Sequence, residues 1–123
     1  MSGRTWITYN KDIKQTGLMS KTLFNPVQKR AEILCERLAE DYGSQYPNGS
    51  DGDFCAQSGR RYFKIVHGGR SVHAFVDKIT GDVYKPASWT GPAKIVRYNL
   101  LNDSSYQECL HRADWAGGYL YIR

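Results

Sequence analysis

The 123-residue chain has no apolar run near the roughly 18–20 residues that cross a bilayer, so no membrane partner is expected. Its first residues, Met1 to Asn10, carry Arg4 and no apolar h-region, so no secretory signal is expected. Cysteine is scarce. Cys35, Cys55 and Cys109 form no C-x-x-C pair, and an odd count without close spacing argues against a disulfide framework. Reduced thiols and a cytoplasmic setting are expected. No close cluster of His, Cys, Asp and Glu could ligate a metal. A glycine-rich phosphate loop, a nucleophile elbow and a metalloprotease helix are all missing. No catalytic residue, metal or cofactor is therefore assigned.

Acidic residues are also in short supply. Twelve face 17 Lys and Arg, giving a net charge of +5 and a pI near 9.2. A basic surface favours an anionic partner. Hydrophobic residues make up 41%, enough for the core of one small domain. The chain divides into an N-terminal arm or strand, residues 1–24, and a single domain, residues 25–123. The arm holds Trp6 and Tyr9 and a basic stretch with Lys11, Lys14 and Lys21.

Helical spacing is clearest over residues 25–42. Asn25 suits an N-cap, Pro26 suits the first helical position, and Gln28 would close a capping box. Val27, Ala31, Leu34, Cys35, Leu38 and Tyr42 form one apolar stripe, and Gly43 offers a stop. Residues 43–59 read as a long loop, rich in Gly, Ser, Asn and Asp.

Two alternating segments flank Gly68-Gly69, which predicts a hairpin with a two-residue turn. With His67 opposite Arg70, Ile65 meets Val72 and Phe63 meets Ala74. One face is then Phe63, Ile65, Val72, Ala74 and Val76, packed on the helix. The other carries Tyr62, Lys64, Val66, Ser71, His73 and Phe75. This register puts His67 and His73 on opposite faces, which excludes them as an acid–base pair. Gly81 sits at a left-handed turn position, and a third strand begins at Val83. Residues 86–102 look irregular, with a short strand over Ile95–Leu101. Asp103 or Ser104 caps a short helix reaching about Asp114, and Tyr119 to Ile122 reads as a closing strand. The fold class is α+β. A mainly antiparallel sheet of three to five strands carries the long N-terminal helix on one face, with a short C-terminal helix. A chain this small gains core by self-association, so a homodimer is possible.

Two groups of residues carry the expected chemistry. Tyr62, Lys64, His73 and Phe75 place rings beside cations on a sheet, as base stacking and phosphate contact require. Lys85, Ser88, Trp89, Lys94, Arg97 and Asn99 follow as a basic, aromatic cluster, in which Lys94 and Arg97 would contact phosphate. Both groups point to non-catalytic binding of a phosphate-bearing ligand, a nucleotide or a nucleic acid. A protein-interaction module anchored by Trp6, Tyr9 and Trp89 is the alternative. A small nuclease with His73 as base is the third reading.

The run Asp77-Lys78-Ile79-Thr80-Gly81-Asp82-Val83-Tyr84-Lys85-Pro86-Ala87-Ser88-Trp89, with Pro92-Ala93-Lys94 and Arg97-Tyr98-Asn99, resembles a segment of small phage-encoded proteins of unassigned function. The resemblance spans residues 60–102. It implies a viral protein acting inside a bacterial host, where such proteins often inhibit host defence. They do so by sequestering a nucleotide signal or by blocking an effector protein, as anti-CRISPR proteins do. It supplies no catalytic residues.

Overall fold

The computed structural model describes residues 25–49 and 52–121. The arm over residues 1–24, with Trp6 and Tyr9, and the strand end at Ile122 lie outside the described residues. Helix α1 runs Pro26–Gln45. The Asn25 side chain accepts hydrogen bonds from the Val27 and Gln28 amides, with Pro26 in the first turn. The capping box does not close, because the Gln28 amide reaches forward to Glu32 instead. Gly43 is no stop. It lies in the last turn, with open space around it, and the helix continues to Gln45.

Five strands follow: β1 Phe54–Ser58, β2 Tyr62–His67, β3 Ser71–Asp77, β4 Asp82–Pro86 and β5 Pro92–Asn99. They pair in chain order as an antiparallel meander. The α+β class with an antiparallel sheet is thus observed. β1 was expected to be loop; it exists because Phe54 and Ala56 turn toward the core and its backbone pairs with β2. β5 starts earlier than expected, at Pro92. A first-residue proline on an outer strand breaks no ladder bond. Helix α2, Asp103–Arg112, is capped by Asn102, which accepts from the Ser105 amide. The expected closing strand is instead a 3₁₀ turn over Gly118–Leu120. Gly117, at φ 85°, opens it, and the Asp114 carboxylate accepts from the Gly118 and Tyr119 amides.

Both helices lie against one face of the sheet. Val27, Ala31, Leu34 and Leu38 of α1 pack with Phe63, Ile65, Ala74 and Val76, and Tyr106 and Cys109 of α2 join the same core. Each of the Val, Leu, Ile and Phe side chains among them contributes about 1.5–3 kcal/mol by leaving water. Arg30 pins α2 to α1 by donating to the Leu100 carbonyl and Asp103 while lying over the Tyr106 ring.

The hairpin register departs from expectation in two steps. The glycine turn forms, with φ of 61° and 70° at Gly68 and Gly69 and the Arg70 amide donating to His67. The ladder resumes one residue later, with His67 opposite Ser71 and Val66 opposite Val72. A bulge then leaves His73 without a partner, and Ile65 faces Ala74. The first slip swaps the faces and the second swaps them back. Tyr62, Lys64 and Phe75 therefore lie on the predicted face. Val72 moves away from the helix side, while Ser71 and His73 move to it.

Candidate functional site

The face away from the helices is built around Tyr62. Its ring packs edge-on against Phe75 at 5.8 Å and Tyr84 at 6.1 Å. Phe75 lies opposite Lys64 on one side and Tyr84 on the other, and Val96 of β5 follows opposite Tyr84. Trp89 reaches this face from the β4–β5 turn, where the Lys64 ammonium stands 4.1 Å from the centre of its ring. Trp89 is 47% exposed, whereas Phe75 is only 2% exposed and serves as the floor. Arg61 stands over the Tyr62 ring at one end.

The residue opposite Tyr62 in the ladder is Asp77. Burial opposes its ionisation. Hydrogen bonds from the Thr80 and Ile79 amides and from Arg61 outweigh that and hold its carboxyl below the usual range. It is a turn-forming group paired with Arg61 at 3.4 Å.

His73 belongs elsewhere. The bulge turns it under the C-terminal segment, where it is 8% exposed. Its Nε2 lies 2.8 Å from the Tyr119 hydroxyl, and the Trp115 carbonyl takes a hydrogen bond from the ring. Burial lowers its pKa to about 4, against the opposing pull of Asp114, with nearby His67 lowering it further. Burial also drives the Tyr119 phenol well above its ordinary pKa, so Tyr119 is the donor and His73 the acceptor near neutrality. Both ring nitrogens are thereby engaged, by Tyr119 and Trp115. His67 shares this side after all. It stacks on Phe54 at 4.3 Å and meets Trp115 edge-on.

The remaining predicted residues separate. Lys85 points to the helix side, its ammonium 5.0 Å from the Tyr121 ring centre. Ser88 stays in the β4–β5 turn, where its hydroxyl accepts from the Thr90 amide. Lys94 is exposed on β5. Arg97 is not a phosphate contact here: its guanidinium donates to the Leu120 and Ile95 carbonyls. Asn99 ties two loops together, donating to Thr80 and Asp82 and accepting from the Leu101 and Asn102 amides. Among the described residues no group of three or more His, Cys, Asp or Glu could hold a metal ion. No helix among them is long and apolar enough to cross a membrane.

A cavity of about 370 Å³ opens beside His73, between the hairpin end, Lys85 and the segment from Trp115 to Tyr121. Its aromatic wall had no local sequence signal, since Trp115 and Tyr121 reach the hairpin only through the fold of the C-terminal segment.

A family model described as a family of unknown function (DUF7717) matches residues 10–122. The chain belongs to that family. No curated protein and no solved structure matches it. Among the described residues, the surface of the DUF7717 chain offers a ring-and-cation face and, among several cavities, the one at the hairpin end beneath the Trp115–Tyr121 segment.

Proposed function

We propose that this DUF7717 protein is a non-catalytic binding domain that holds a single-stranded nucleic acid across the open face of its sheet. The observation that carries the reading is the placement of Lys64 against Trp89, beside the Tyr62–Tyr84 pair, on a face neither helix covers. Rings on a sheet accept unstacked bases of any identity, and adjacent cations take the phosphates. Lys64 and Arg61 supply that charge, within a chain of net charge +5. A duplex keeps its bases stacked inside and gains nothing from such rings.

Fluorescence anisotropy with labelled oligothymidylate and oligouridylate, against a duplex of equal length, tests it. Single strands bind more tightly than duplex. Tyr62→Ala or Trp89→Ala weakens strand binding by roughly 5- to 150-fold. Lys64→Ala reduces the salt slope by about one. Equal binding of duplex and strand, or unchanged binding by all three variants, overturns the reading.

A second reading rests on β5. It is one of the two outer strands of the described sheet, and Ile95 and Val96 are exposed there. An apolar outer strand suits a protein partner that adds a strand of its own. Crosslinks from β5 to a host protein, with no strand binding, favour this reading.

A further inference from the structure

We propose that the cavity beneath the C-terminal segment is a separate site for a ring-bearing phosphate monoester of mononucleotide size. About 370 Å³ falls in the range of small-molecule pockets and is too small for a strand of several nucleotides. Lys85, Trp115, Tyr121 and Pro86 are among its lining residues, with the Lys85 ammonium 5.0 Å from the Tyr121 ring centre, and the Ser71 hydroxyl at its rim donates to the His67 carbonyl. No carboxylate is among its described lining residues. The acids that come near are turned to backbone amides: Asp114 holds Gly118 and Tyr119, and Asp41 holds Trp115. Among the described residues, an ammonium beside rings with no carboxylate in the lining fits a phosphate joined to a planar heterocycle.

The walls are set before any ligand arrives. His73 is fixed between Trp115 and Tyr119, Arg97 holds the Leu120 carbonyl, and the Tyr98 hydroxyl donates to Tyr119. Binding to such a preformed cavity costs little ordering. Lys85 supplies the charge for the phosphate, while Trp115 and Tyr121 bracket the base.

Isothermal titration calorimetry of the full chain with AMP, GMP, CMP and UMP, with adenosine and with inorganic phosphate tests this. At least one nucleotide binds below about 1 mM, and AMP binds at least about tenfold more tightly than adenosine or phosphate alone. Lys85→Met weakens AMP by about tenfold or more and leaves adenosine unchanged, and Lys85→Arg restores part of the loss. Lys64→Ala, on the opposite face, leaves AMP binding intact. The proposal is overturned if no nucleotide binds, if AMP and adenosine bind equally, or if folded Lys85→Met binds AMP as the native chain does. Loss of AMP binding in Lys64→Ala would also overturn it, because the ligand would then sit on the strand-binding face. Strand binding that survives Lys85→Met separates the two sites.

Discussion

The Tyr119 hydroxyl meets Nε2 of His73 at 2.8 Å, joining a hairpin bulge to the 3₁₀ turn over Gly118–Leu120. Tyr119→Phe leaves a buried imidazole nitrogen without its donor. A loss of about 1–3 kcal/mol in unfolding free energy by urea titration is expected. The Phe ring keeps the stacking at 5.6 Å, so the fold persists.

Burial of the His73 ring makes stability depend on pH. The folded His73 pKa of about 4 lies below its ordinary 6.5, so between those values the unfolded chain binds more protons. The contribution is fully present above about pH 6.5. It is lost progressively as pH falls toward the folded value, by up to about 3 kcal/mol. Urea titrations near pH 7 and pH 4.5, on the native chain and on His73→Gln, give the difference. The native chain loses about 2–3 kcal/mol more than the variant.

Arg97 and Lys94 behave differently from each other. Arg97→Ala frees the Leu120 carbonyl and speeds amide exchange over Trp115–Tyr121. Lys94→Ala, on an exposed side chain, changes stability by less than about 0.5 kcal/mol. Hydrogen exchange read by mass spectrometry separates the two.

The apolar residues of α1 and of Phe63, Ile65, Ala74 and Val76 were legible because their periodicity reports burial directly. The glycine turn was legible too, since paired glycines accept positive φ at low cost. The bulge at His73 was not. A two-residue slip restores side-chain parity, so Phe63 and Ala74 look the same with or without it. Only the three residues between the slips change sides, and nothing in Ser71-Val72-His73 marks that. Arg97 and Asn99 look like ligand contacts in a sequence, because the Leu120 and Thr80 carbonyls they satisfy come from distant segments. Lys85 and Trp89 lie near each other in sequence yet serve opposite faces, as strand alternation and the β4–β5 turn require.

The thiols divide by burial. Desolvation pushes Cys35 and Cys109 up to about 12, whereas Cys55 is exposed on β1. Iodoacetamide on the native chain at mildly alkaline pH therefore alkylates Cys55 rapidly and the other two only on unfolding. Mass spectrometry reports one adduct first and three after denaturation.

The most direct measurement is a ¹H–¹⁵N correlation titration of the full chain with unlabelled oligothymidylate. Shifts concentrated on Tyr62, Lys64, Tyr84 and the Trp89 indole are expected, with Leu34, Leu38 and Cys109 unmoved. Shifts confined to the helix side, or none at saturating strand, would contradict nucleic-acid binding by the open face.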